Sequence, residues 1–111
     1  MYEVKNAEEL EILKRETPVL LIFFGGIDCN VCHAMKPHII KLVESNYSQI
    51  KMIYVDCHVE SEICAQYGVF TLPVVQIYFE GQRFIEKVRH FSMLELNSEL
   101  DRPYSMMFEN T

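Results

Sequence analysis

Two cysteines three residues apart, Cys29 and Cys32, carry the most informative chemistry in this chain. They follow an apolar stretch from Pro18 to Phe24 and the pair Gly25-Gly26, and they open an amphipathic run that reaches about Asn46. A strand feeding a helix whose first turn holds two cysteines is the sequence form of a dithiol redox centre. Positions i and i+3 share a helix face, so the two sulfurs can close a disulfide. Unpaired N–H groups at a helix start also favour a thiolate there. Two other chemistries use the same residues. Cys29-Asn30-Val31-Cys32-His33 satisfies the C-x-x-C-H haem-attachment pattern, but that chemistry needs an exported chain and a further axial ligand. Zinc on Cys29, Cys32 and His33 or His38 is the other. It lacks a second CxxC, and His33, adjoining Cys32 on the helix, points elsewhere. The dithiol is the preferred reading, with no metal and no cofactor beyond the Cys29–Cys32 disulfide itself.

The elements that must position the dithiol are legible from periodicity. Tyr2 to Lys5 alternates as a short strand, and Asn6 with Glu9 forms a capping box ahead of a helix that turns Leu10 and Leu13 inward. Val19 to Phe24 is continuously apolar, as expected of a central strand covered on both faces. In the following helix Cys32, Met35, Ile39, Leu42 and Val43 form the inward stripe, and Pro37 interrupts the backbone ladder. Lys51 to Asp56 is a further strand, and Ser61 to Tyr67 a short helix closed by Gly68. Val74 to Phe79 turns at Glu80-Gly81 into Arg83 to Val88. Ser92 and Glu95 open a last helix that Asp101-Arg102-Pro103 should stop. The order β-α-β-α-β-α-β-β-α predicts an α/β fold, a mixed sheet with helices on both faces. It places one domain over residues 1–103 and a C-terminal tail over 104–111.

Composition narrows the function classes. A chain of 111 residues, half of them hydrophobic, makes one domain with a core. The formal net charge of −6 is dispersed, which argues against nucleic acid and anionic membrane as partners. The longest apolar run is far shorter than the roughly 20 residues of a membrane span. Met1 to Arg15 has no apolar core of a signal peptide. The expectation is a cytoplasmic monomer, where cysteines do redox chemistry more often than they form structural bridges.

The order of elements, with CxxC at the tip of the second helix, resembles the thioredoxin family over about Tyr2 to Leu100. The residues that carry the resemblance are Cys29-x-x-Cys32 with Pro37 five residues on, Val55-Asp56, Tyr67-Gly68-Val69, Thr71-Leu72-Pro73-Val74 and Phe79-Glu80-Gly81. The resemblance implies the thioredoxin fold and a thiol–disulfide oxidoreductase acting on protein or small-molecule disulfides. It makes Cys29 the attacking thiol and Cys32 the resolving one. It implies a cis Pro73 beside the dithiol, and a substrate surface from Ile27, Asp28, Thr71, Leu72, Pro73 and Arg89. A reductase of the thioredoxin-reductase type or another thiol reductant would supply electrons. The rival reading is a redox-inert or metal-binding interaction module on the same fold.

Several positions depart from the family. Asp28 stands in place of tryptophan before the first cysteine, and Asn30-Val31 in place of Gly-Pro between the two. Phe23 replaces a buried aspartate, Tyr54 its lysine partner, and Arg89 a glycine of the docking surface. Asp28 is read as the helix N-cap and as an anion that makes the Cys29 thiolate scarcer, consistent with a reducing couple. The charged Arg89 predicts a dedicated partner or few partners, bearing an acidic residue near the target disulfide. Cys57 and Cys64, seven apart, could form a second redox pair, but the preferred reading is two small buried hydrophobes; His33 is read as a first-turn surface residue biasing the thiol, and His58 and His90 as loop or strand-end residues.

Overall fold

The computed structural model describes residues 1–108. Its elements are β1 (Tyr2–Glu3), α1 (Ala7–Glu16), β2 (Val19–Gly25), α2 (Asn30–Asn46), β3 (Lys51–Asp56), α3 (Ser61–Gln66), β4 (Val74–Phe79), β5 (Gln82–Val88) and α4 (Met93–Phe108). The strands form one sheet in the order β1-β3-β2-β4-β5. β1, β3 and β2 run parallel, β4 pairs antiparallel with β2, and β5 pairs antiparallel with β4. The predicted α/β order holds element for element.

Every residue of β2 is buried, which is why it reads as an unbroken apolar run rather than an alternating one. Val19, Leu21 and Phe23 face a core built with α2 and α4 through Ile39, Val43, Leu96 and Leu100. Leu20, Ile22 and Phe24 face a second core on the other side, with Leu10 of α1 and Ile63 of α3. The caps form as the sequence predicts. Asn6 Oδ1 accepts from the Glu9 N–H at 2.7 Å, and Ser92 Oγ accepts from the Glu95 N–H at 3.0 Å. Gln76 of β4 is fully buried but satisfied. Its amide donates to the Tyr67 carbonyl at 3.1 Å and to Glu86 at 2.8 Å, and its oxygen accepts from the Tyr78 hydroxyl at 2.8 Å.

The last helix does not stop at Asp101-Arg102-Pro103. It runs on to Phe108, across the expected boundary at 103, so residues 104–108 of the expected tail are helical, while 109–111 lie outside the described residues. The cause is packing. Tyr104 continues the stripe of Leu96 and Leu100 and is 5% exposed, with Met107 and Phe108 partly buried against the same core. Its ring meets Tyr47 edge-on at 4.9 Å, and its hydroxyl accepts from the Gln49 N–H at 3.1 Å. Burial of this order outweighs the roughly 3 kcal/mol that a proline costs a helix interior.

This packing has a measurable consequence. Tyr104→Ala should lower stability by about 3–4 kcal/mol in urea titration. A loss below about 1 kcal/mol would mean that the residue belongs to a dispensable tail.

Candidate active site

The buried β2 ends at Gly25, and the next four residues turn the chain into α2. The Cys29 N–H donates to the Gly26 carbonyl at 3.1 Å, closing that turn, and the His33 N–H donates to the Cys29 carbonyl at 3.2 Å, beginning the helix. Cys29 is itself the N-cap, in an extended conformation with φ −95° and ψ 96°. Its Sγ accepts from the Cys32 N–H at 3.1 Å. Asp28 therefore does not cap the helix as expected. The first helical residue is Asn30, so the capping position falls on Cys29, and Asp28 sits in the exposed turn before it.

Cys29 and Cys32 are joined in a disulfide with their Cα atoms 5.2 Å apart. Their surroundings differ. Cys29 is half-buried at the helix tip, whereas Cys32 is 2% exposed and part of the core shared by α2 and α4. His33 is exposed, and its Nε2–H donates to the Ile27 carbonyl at 2.8 Å, so the ring braces the loop before Cys29.

Both glycines sit where a side chain would be crowded by its neighbours. A Cβ on Gly25 would lie 3.0 Å and 3.1 Å from the Tyr54 ring and hydroxyl, and 3.3 Å from Cys32 Cβ. A Cβ on Gly26 would overlap the His58 ring and lie 3.2 Å from Leu72 Cδ1. Gly25 is thus the thin spacer between Cys32 and Tyr54, and Gly26 that between the dithiol loop and the segment Thr71-Leu72-Pro73.

The Leu72–Pro73 peptide is cis, Pro73 is buried, Leu72 half-buried and Thr71 exposed. The Pro73 carbonyl accepts from the Arg89 N–H at 2.7 Å, which brings Arg89 to this loop through its backbone while its side chain stays in solvent. Arg89 has φ +62°, so the position formally occupied by glycine in the family keeps a glycine-like conformation with a long cation on it. Ile27, Val31 and Phe70 are exposed at 69%, 54% and 80%. Phe70 was not legible as a surface residue, because an aromatic between Val69 and Thr71 has no periodicity to separate it from core.

Behind Cys32 lies a cleft of about 200 Å³ lined by Cys32, His33, Lys36, Tyr54, Asp56 and Glu3. Phe23 makes the sheet beneath it apolar, its ring 5.9 Å from that of Tyr54. Lys36 Nζ sits 4.4 Å over the Tyr54 ring. Burial, and then the nearby carboxylates of Asp56 and Glu3, push the Tyr54 phenol above its ordinary value. Polar groups absent from the strand at Phe23 are thus supplied from the side. Among the described residues no group of three His, Cys, Asp or Glu side chains is placed to hold a metal ion.

One expectation is corrected outright. Cys57 and Cys64 are bonded to each other, with Cα atoms 5.7 Å apart. The reason is the turn after β3. Asp56 accepts from the His58 N–H through its side chain at 2.9 Å and from the Val59 and Glu60 N–H groups through its carbonyl at 3.2 and 2.7 Å. The chain folds back at once, and the first turn of α3 brings Cys64 over the end of the strand.

The family model described as Thioredoxin matches residues 2–102. The thioredoxin-like protein YdfQ of Bacillus subtilis is 27% identical over 85 residues, covering 77% of this chain and 75% of that one. Thioredoxin 1 of Synechococcus elongatus is 26% identical over 92 residues, covering 83% and 85%. Among solved structures, a thioredoxin of Entamoeba histolytica superposes with TM-score 0.79 at 20% identity over 92% of this chain and 98% of that one.

The backbone at Arg89 can be tested directly. Arg89→Val should lower stability by about 1–2 kcal/mol, because a β-branched residue is poorly tolerated at positive φ, while Arg89→Gly should not lower it. Urea titration of both variants checks this, and equal losses would contradict the conformational account.

Proposed function

This chain belongs to the thioredoxin family and is a thiol–disulfide oxidoreductase, and from that premise we propose that it reduces disulfides in proteins, with Cys29 attacking and Cys32 resolving. The observation that carries the assignment of roles is the unequal burial of the two sulfurs across one helix turn. The Cys29 thiolate is reachable and receives the Cys32 N–H, a charge-assisted hydrogen bond once the thiolate forms. It bonds to one sulfur of the substrate disulfide and the other leaves as a thiolate. Cys32 then attacks Cys29 Sγ, the reduced substrate departs, and Cys29–Cys32 closes, so two electrons pass to the substrate. An external thiol reductant or a reductase of the thioredoxin-reductase type reopens the bond, and no further cofactor takes part.

A substrate segment would lie along Thr71, Leu72 and Pro73 as an added strand, with Ile27 and Asp28 at one side and Arg89 at the other. Exposed Phe70 and Val31 widen the apolar part of that surface, and the Arg89 side chain selects a partner with an acidic residue nearby. The working form is a monomer, since one chain supplies the whole site. A cytoplasmic setting suits a dithiol that must be kept reduced.

Insulin reduction with dithiothreitol tests the activity. Wild type should exceed background and Cys29→Ser should fall to it, while Cys32→Ser should accumulate mixed disulfides through Cys29. No difference between wild type and Cys29→Ser would refute the reading. Trapped partners should be few, and dozens of unrelated proteins would contradict the narrow surface.

Tyr54, facing Cys32 across Gly25, is the hydrogen-bond donor that the cleft offers a Cys32 thiolate in the resolving step, while water takes the thiol proton. Its raised pKa keeps the phenol protonated through neutral pH, so it adds no inflection there. Tyr54→Phe should slow substrate release in single turnover by about 10-fold. It should leave mixed-disulfide formation unchanged in a Cys32→Ser background. Equal slowing of both steps would assign Tyr54 to packing instead.

A further inference from the structure

The bond between Cys57 and Cys64 repeats, on the opposite face of the sheet, the arrangement of the first pair. In each, the less buried sulfur closes the turn that leaves a strand, and the buried one lies in the helix that follows. Cys57 is half-buried beside exposed His58 and Val59, and Cys64 is 3% exposed within the core shared by α1 and α3. We propose that Cys57–Cys64 is a second redox-active dithiol, opened by small solution thiols of the glutathione class, with Cys57 as the sulfur attacked.

The fold tolerates the open state. Opening the bond leaves α3 held by other contacts: Tyr67 at its end donates to Glu11 and accepts from Lys14 at 3.1 Å. The Tyr67 carbonyl accepts from buried Gln76, and Val69 packs into the same core. Cys57 is also fixed independently, its N–H donating to the Gly25 carbonyl at 2.8 Å. The step balances as an exchange. A thiolate bonds to Cys57 Sγ, the Cys57–Cys64 bond breaks, and the electron pair leaves on Cys64 Sγ, which takes a proton from water. A second thiol attacks the reductant's sulfur in the mixed disulfide, freeing Cys57. The pair gains two electrons and two protons, and two thiols become one disulfide. Attack on Cys64 is disfavoured because its sulfur is enclosed. The sheet separates this pair from Cys32, so the electrons come from solution. A small thiol is the fitting reductant because Cys57 lies in a tight turn on the other face from the dithiol.

The experiment uses Cys29→Ser/Cys32→Ser protein, so its result does not depend on the activity assigned to the first pair. The protein is equilibrated in a series of reduced and oxidised glutathione, with circular dichroism confirming the fold. Thiols are alkylated under native conditions and counted by mass spectrometry. We expect one two-electron transition, from no thiols to two. A bond that persists until denaturant is added, or thiols that never close with excess oxidised glutathione, would overturn the proposal. In the reduced protein, iodoacetamide should label Cys57 at least 10-fold faster than Cys64, and equal rates would overturn the order of attack.

Discussion

Burial of β2 on both faces is the constraint on which the site depends. With no polar residue between Val19 and Gly25, the strand can lie only at the centre of the sheet, between β3 and β4. Its end is thereby fixed against two layers at once. Gly25 and Gly26 pass there with the least displacement, because Tyr54 and Cys32 press from one side and His58 and Leu72 from the other. The position of Cys29 follows from that passage. The α2/α4 core draws Cys32 inward, and the two sulfurs acquire different exposure from one turn of helix.

The chemistry at the dithiol is set by what surrounds that turn. Cys29 serves as its own helix cap, so the group that would stabilise a thiolate is the N–H of its partner cysteine. Phe23 removes any charge from the strand beneath, and the polar groups move to a side cleft where Lys36, Tyr54 and Asp56 meet Cys32. Phe23 and Tyr54 pack ring against ring at 5.9 Å, so the departures at 23 and 54 meet in one contact.

The two faces of the sheet carry different burdens. On the α2/α4 side the packing extends to Tyr104 and Phe108, and it carries the last helix through Pro103. On the α1/α3 side a six-residue helix is too short to hold itself. It is fixed by Tyr67, by buried Gln76 and by the Cys57–Cys64 bond. The loop with Pro73, which approaches the turn before Cys29 through Leu72 beside Gly26, connects this short helix to β4, so that turn lies between a heavily packed face and a lightly packed one.

The order of elements, the central place of β2 and the location of the dithiol were all legible in the sequence. Period, capping pairs such as Asn6-Glu9 and Ser92-Glu95, and the spacing of Cys29, Cys32 and Pro37 are local signals that the chain carries with it. Other features came from contacts between segments distant in sequence. Pro103 reads as a stop until Tyr104 is seen against Tyr47, and Asp28 reads as a cap until the turn from Gly26 is closed. Cys57 and Cys64 read more readily as core residues than as a pair, because a spacing of seven fixes no contact and only the Asp56 turn brings their sulfurs together. Phe70 gave no sign of its exposure, since a single aromatic side chain has no periodicity, whereas Tyr54 meets Phe23 as the resemblance implied. Local sequence determines which elements form and where the reactive pair lies. Which side chains then meet is decided by packing across the sheet, because burial rewards the contact made in space whatever its separation along the chain.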